Sequence, residues 1–257
     1  MLKGKWCLVT GGGRGIGRSI ALALAKESAS LALTSRSVEQ LESVAVECKA
    51  AGAPAVEVYP ADLSDSKAVD GLAAALLAKH GCVSVLVNNA GMITNGMTPL
   101  EGDPDEWEKM MVADLTSPMR LTRLLSPAMV ERKDGAILNI SSVLGLEPHW
   151  STAAYCAAKF GLRGWSLSCH DTLRRSNVKV VCINPGFVDT SLPGGMPGTV
   201  PEEMIRAEDI AEACLLALKT SSKCVQTDIT LRNSQNCAYL LYDPTELMME
   251  KMAASQK

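Results

Sequence analysis

Tyr155 and Lys159 stand four residues apart in "STAAYCAAKFGLRGW", a stretch with helical spacing, so both side chains fall on one helix face. An ammonium beside a phenol favours the phenolate and lowers a tyrosine pKa that starts near ~10. A tyrosine tuned in that way gives and takes a proton near neutral pH. Alone, the Tyr-x-x-x-Lys spacing is common on helix surfaces and decides nothing. Asp114, in "MMVADLTSP", is a second residue with chemistry in it. Trp107, Met110, Met111, Asp114, Leu121 and Leu125 keep helical spacing, which places this carboxylate on the core-facing stripe. Asp103 can cap the helix, Pro104 suits its first turn, and Glu106 follows three residues after the cap. Pro118, four residues beyond Asp114, has no N–H to give to the Asp114 carbonyl. That carbonyl is therefore expected to be free, beside a kink.

These residues must be positioned by the elements around them. Short β-branched runs ("WCLVT", "SLALTS", "AVEVYP", "VSVLVNN", "AILNIS", "VKVVCIN", "DITL") alternate with amphipathic stretches. This is the spacing of βαβ units, and near-continuous apolar runs suit parallel strands covered on both faces. The pattern predicts a single α/β domain over 1–257: a doubly wound, mostly parallel seven-stranded sheet with helices on both faces. Gly11 follows the first strand, Arg36 the second, Asp62 the third, Asn88 the fourth, Ser142 the fifth and Pro185-Gly186 the sixth. Ligands of open parallel sheets bind outside the carboxyl ends of the strands, so the six ends describe one continuous site.

"VTGGGRGIGRSIALALA" joins the first strand to a helix. Gly11, Gly15 and Gly17 let the backbone turn tightly, approach a pyrophosphate and pack on the helix, whose first amides then face phosphate. Arg14 and Ile16 belong to the same loop. An ordinary glycine-rich turn is the alternative. A preference for NAD calls for an acid at the end of the second strand; here that place holds Ser35, followed by Arg36. No anion repels a 2′-phosphate there, a guanidinium is at hand, and Arg14 can add a second charge, so NADP(H) is expected; a solvated helix-start residue is the alternative for Arg36. Asp62, with Leu63 beside it, either bonds the adenine amino group or serves as a turn residue.

Composition sets the outer bounds. The chain has 257 residues, 47% hydrophobic and 21% charged, with a net charge of −3, which argues against a general nucleic-acid binder. No apolar run approaches the roughly 18 residues that cross a bilayer. The first residues enter a strand directly, so a cytoplasmic location is expected, or an organelle stroma or matrix if a transit peptide has been removed. Nine cysteines without a C-x-x-C pair read as reduced thiols, and the three histidines lack metal-ligand spacing, so no metal site is expected.

"TGGGRGIG" (10–17), "NNAG" (88–91), "SS" (141–142), "YCAAK" (155–159) and "NPGFVDT" (184–190) together resemble the single-domain short-chain dehydrogenase/reductase family over essentially the whole chain. The look is closest to 3-oxoacyl-acyl-carrier-protein reductases. The resemblance implies a Rossmann sheet and an NADP(H)-dependent reductase or dehydrogenase acting on C=O or CH–OH groups. It makes Tyr155 the proton donor and acceptor, has Lys159 bond the nicotinamide ribose, and has Ser142 hold the carbonyl. Val188 and Thr190 would cradle the nicotinamide with Pro185 and Gly186, and Asn88, Ala90 and Gly91 would line the adenosine side and pin the central strand. A lid over about 191–205 would close on a small-molecule substrate, a tail would run over about 233–257, and a homotetramer or homodimer would form through the long helices around 104–132 and 152–176.

Two departures qualify the likeness. The family's asparagine, 28 residues before the catalytic serine, is Asp114 here. An ionised Asp114 near Lys159 would partly cancel the pull on Tyr155 and raise its pKa; in a dry site Asp114 would instead be protonated. A backbone relay through its carbonyl would survive the change. The chain ending also lacks the usual Gly-Gly after the last strand. Leu192, Met196 and Met204 suggest a partly apolar substrate, and His149 and Trp150 are either substrate contacts or packing residues. An acyl-carrier protein is a candidate partner if Arg132, Lys133, Arg174 and Arg175 form a basic patch at the mouth; two solvated helix ends are the alternative. A catalytically weak NADP-binding sensor or interaction module is the competing function, because of Asp114.

Overall fold

The computed structural model describes residues 2–190 and 201–234. Most of the expected lid (191–200) and tail (235–257), with Leu192, Met196 and Cys237, lies outside the described residues.

Seven parallel strands make one sheet: β1 (Trp6–Thr10), β2 (Ser30–Thr34), β3 (Val56–Val58), β4 (Val85–Asn88), β5 (Gly135–Ile140), β6 (Val178–Pro185) and β7 (Asp228–Leu231). Their order is β3-β2-β1-β4-β5-β6-β7. The chain reverses its direction of winding between β1 and β4, and a crevice opens where the two strands part. The helices are α1 (Gly15–Lys26), α2 (Val38–Ala50), α3 (Ser66–His80), α4 (Pro104–Met111), α5 (Ser117–Arg132), α6 (Ala153–Leu173) and α7 (Ala207–Lys219). Alternation along each strand feeds two cores. Val9, Leu33, Val87 and Leu138 pack with α1, α2 and α7, while Leu8, Leu86, Ile137 and Val180 pack with α3, α5 and the end of α6. Each fully buried leucine contributes about 1.5–3 kcal/mol, so both faces help to hold the sheet flat against its helices. Among the described residues all eight cysteines are free thiols, and no helix is long and apolar enough to cross a membrane.

Asp103 caps α4 through a bond from the Asp105 N–H (3.0 Å), with Pro104 next. Where a kink is expected, before Pro118, the ladder leaves the α form. Between α4 and α5 the ladder widens into a π-helical turn, Val112–Thr116, in which the Ser117 N–H reaches the Val112 carbonyl. With no N–H at Pro118 to close the ladder on Asp114, the turn is widened, and Asp114 sits in the middle of it.

Candidate active site

The carboxyl ends of the strands border one cleft of about 1080 Å³. At its nucleotide end the loop after β1 is set by backbone needs. Gly11 (φ +64) and Gly15 (φ +52) adopt left-handed conformations that side chains rarely take. Arg14, in the N-cap position of α1, makes no side-chain cap, and the first turn has no acid, so the leading amides stay available to an anion. Arg14, Ile16, Ser35, Arg36, Asp62 and Leu63 all border the cleft. Asp62 takes both bonds of its own turn, from the Ser64 N–H (2.9 Å) and hydroxyl (2.8 Å). The Ser64 amide holds its carboxyl below the usual range, with the Arg36 charge adding to the effect.

Two residues assigned to the cofactor lie elsewhere. Gly17 is buried behind the loop, and a Cβ there would stand 2.1 Å from the Gly11 carbonyl oxygen. Its role is to let α1 close on the loop. Asn88 does not reach the adenosine side. Strand alternation turns it under α6, where its Nδ2 donates to Asn139 Oδ1 (2.7 Å). Its neighbour Asn89 lines the cleft instead and donates to the Thr10 carbonyl (2.9 Å), fixing the β1–β4 parting. Thr10 Oγ1 accepts the Asn89 and Ala90 amides, both at 2.9 Å. These second-line contacts carry no motif of their own, although the doubled asparagine and strand alternation together predict that only one points at the ligand.

The end expected to be catalytic is assembled from three elements. Ser142 follows β5, Tyr155 and Lys159 come from α6, and Asp114 comes from the π turn; all four line the cleft. Lys159 Nζ lies 3.1 Å from Asp114 Oδ2 and 5.3 Å from the Tyr155 ring centroid, and donates to the Ile140 carbonyl (3.4 Å). Asp114 Oδ1 accepts the Met92 N–H at 2.7 Å. Lys159 and Asp114 are 4% and 1% exposed, so their mutual attraction is poorly screened. Burial alone would push the lysine pKa down, but Asp114 and Tyr155 together outweigh it and the net shift is upward. Burial raises the Asp114 pKa, against Lys159 and the Met92 amide. For Tyr155 burial again raises the pKa; Lys159 pulls it down, Asp114 pushes it up, and nearby Ser142 favours the phenolate. The net shift is upward, so the lowering expected from Lys159 alone does not prevail.

Met97, Met110, Met92, Ile93 and Leu144 pack around Tyr155. From the end of β6 onward, Pro185, Gly186, Val188 and Thr190 border the cleft, and the Val188 segment pairs with Ile205, the returning end of the expected lid. Asn233, at the start of the expected tail, brackets Phe187: its Oδ1 accepts the Phe187 N–H and its Nδ2 donates to the Phe187 carbonyl, both at 2.9 Å. Arg232 and Glu147 pair across the rim at 2.6 Å, and Lys109 and Glu106 likewise at 2.6 Å. Of these rim residues only Glu106 stood out in the sequence, and there as part of a helix start, because isolated charges carry no signal of the partner they meet. Within the chain, Arg132, Lys133, Arg174 and Arg175 do not form a patch at the cleft mouth. They precede β5 and β6, whereas the cleft lies at the strands' far ends, joined to one another where Asn177 donates to the Lys133 carbonyl (2.8 Å).

A parallel sheet in this order, with a glycine loop at its switch point and a buried Tyr–Lys pair beside it, defines a dinucleotide-binding α/β oxidoreductase. The chain belongs to the short chain dehydrogenase family, whose sequence profile matches residues 5–196. It is 36% identical over 191 residues to nodulation protein G of Rhizobium sp. (strain N33), covering 74% of this chain and 76% of that protein. It is 31% identical over 233 residues to an uncharacterised oxidoreductase of Staphylococcus aureus (strain USA300), covering 90% and 98%. Among solved structures it is similar to a metagenomic short-chain oxidoreductase crystallised with NADP: TM-score 0.79, 35% identity, covering 91% of this chain and 99% of that one.

Proposed function

We propose that the chain is an NADP(H)-dependent carbonyl reductase or alcohol dehydrogenase. It would move a hydride between the nicotinamide and a ketone or secondary alcohol, with Tyr155 as general acid and base. The observation that carries this reading is the buried Tyr155–Lys159–Asp114 cluster opening onto the same cleft as the glycine loop. The open amides of α1 and the left-handed glycines suit a pyrophosphate, and exposed Arg14 and Arg36 on the same wall suit a 2′-phosphate. Gly11, Gly15, Ile16, Ser35, Asp62, Leu63, Ala90, Gly91, Pro185, Gly186, Val188 and Thr190 would complete the cofactor surface. The bound cofactor supplies or accepts the hydride.

The chain's own residues handle the proton. Ser142 orients the carbonyl oxygen toward Tyr155, and the tyrosine gives its proton to that oxygen as it gains negative charge. Lys159, kept cationic by Asp114, stabilises the phenolate left behind. The apolar wall of Met92, Ile93 and Leu144 favours a partly apolar substrate, 3-oxoacyl thioesters among the candidates. Phe160, 41% exposed on α6, supports a homo-oligomer built on that helix.

The test is NADPH oxidation against β-ketoacyl thioesters, diketones, quinones and steroids, with Tyr155→Phe beside the wild type. Turnover in the wild type and a loss of about 100-fold or more in the variant are expected. A Tyr155→Phe enzyme as fast as the wild type on every substrate overturns the assignment. NADPH binding without any turnover would favour a sensor.

A further inference from the structure

The sheet face beneath α6 changes character as it nears the cleft. Leu86, Ile137 and Val180 stand in register across β4, β5 and β6 and form an apolar row. Two residues further along each strand the in-register row is Asn88, Asn139, Cys182 and, on β7, Asp228. Residues two apart on a strand share a face, so this polar row lies under the same helix. Its members are bonded to one another and to α6. Asn88 Nδ2 donates to Asn139 Oδ1 (2.7 Å), and Asn139 Nδ2 donates to Ser166 Oγ on α6 (2.8 Å). Ser166 donates on to the Leu162 carbonyl (2.6 Å). Cys182 Sγ donates to Asn184 Oδ1 (3.3 Å), and Asn184 Nδ2 in turn donates to Asp228. Arg163, also on α6, meets the other Asp228 oxygen at 2.6 Å. One residue short of Ser142, Ser141 Oγ donates to the carbonyl of Lys159 itself (3.1 Å).

Burying polar groups at a helix–sheet interface costs free energy that an apolar row would not, and their hydrogen bonds roughly offset that cost without a large net gain. Directional bonds give something apolar contacts do not, a defined sliding position of the helix on the sheet. Here they join the strand that carries Ser142 to the helix that carries Tyr155 and Lys159. We propose that Asn139 and Ser166, seconded by Ser141, are positioning residues that lock α6 to β5, so that Ser142, Tyr155 and Lys159 meet in reactive geometry. This rests on the reading of those three as the reacting set.

The test compares Ser166→Ala, which removes the acceptor of Asn139, with Val180→Ala, which opens a cavity in the apolar row of the same face. Both are expected to lower the melting temperature. Ser166→Ala should also lower kcat about 10- to 100-fold, leave the NADPH dissociation constant within about twofold, and move the Tyr155 titration followed by tyrosinate absorbance against Tyr155→Phe. Val180→Ala should leave kcat and the titration as in the wild type. Equal kcat and equal titration in the two variants overturn the proposal. If Ser166→Ala does not fold, Ser141→Ala is read in the same way. The titration needs no substrate, so it judges the positioning even if no ketone is turned over by the wild type, a result that would instead count against the proposed reaction.

Discussion

On the β1–β3 side, the cleft is shaped by main chain. Gly11 and Gly15 bend where side chains cannot, Gly17 lets α1 approach to contact distance, and the sheet beneath is apolar up to Leu33 and Val9. On the β4–β7 side, the cleft rests on side chains: a buried ion pair, a row of buried amides and a charged tether to β7. The contrast follows from the two tasks. A pyrophosphate is held by amides at fixed spacing, which any sequence offers once the turn is possible. Proton transfer needs particular side-chain atoms within tenths of an ångström, so they must be held by other side chains.

Gly17→Val should break the first region most severely. The added Cβ has nowhere to go beside the Gly11 oxygen at 2.1 Å and Asn89 Nδ2 at 2.7 Å, so the loop must open. NADPH affinity should fall by about 100-fold or more, with a stability cost of about 1–3 kcal/mol. Gly71→Ala in α3, where nothing lies within 4 Å of the new atom, should stabilise by about 0.5–1 kcal/mol. Calorimetry and NADPH fluorescence titration check both. A tolerated Gly17→Val would show that side chains, too, can shape this loop.

Arg36→Ala should have a smaller effect, confined to one phosphate. Arg36 is exposed and shares its wall with Arg14, so removing it should weaken NADPH binding by about 1.5–3 kcal/mol, roughly 10- to 100-fold, and NADH binding by much less. Equal losses for the two cofactors would remove Arg36 from the 2′-phosphate site.

Legibility in the sequence follows the same divide. The βαβ alternation, the glycine loop and the strand-end positions of Arg36, Asp62 and Ser142 were readable, because main-chain geometry leaves local signatures. Asp114 was readable as an anomaly: a carboxylate on an apolar stripe before a proline. Its π-helical setting was not, since a one-residue shift of the ladder has no pattern in composition. Of the two roles expected of Asn88 only the pinning of the central strand fits its bond to Asn139, because a motif fixes which residues occur together, whereas strand parity decides which way each points. The bonds from Asn139 to Ser166 and from Arg163 to Asp228 join residues 27 and 65 positions apart, and only the folded chain brings those together.

Asp114→Asn gives the smallest change and the sharpest test of the second region. In the proposed reaction, reduction needs Tyr155 protonated, so its rate is full below the tyrosine's folded pKa and lost as pH rises through it. Oxidation of an alcohol needs the phenolate and rises over the same interval. Burial sets this pKa above the ordinary ~10, and the Asp114 charge adds to the elevation, so the wild type should keep reductase activity well into alkaline solution. Replacing the carboxylate with a neutral amide of equal size removes that addition and leaves Lys159 bonded to the Ile140 carbonyl. The asparagine oxygen can still accept the Met92 N–H, so the π turn keeps its anchor. Both pH–rate profiles should therefore move to lower pH by about one unit, with kcat on the reductive plateau changed less than about tenfold. A profile that stays in place would mean that Asp114 is protonated beside Lys159, and that burial alone sets the tyrosine.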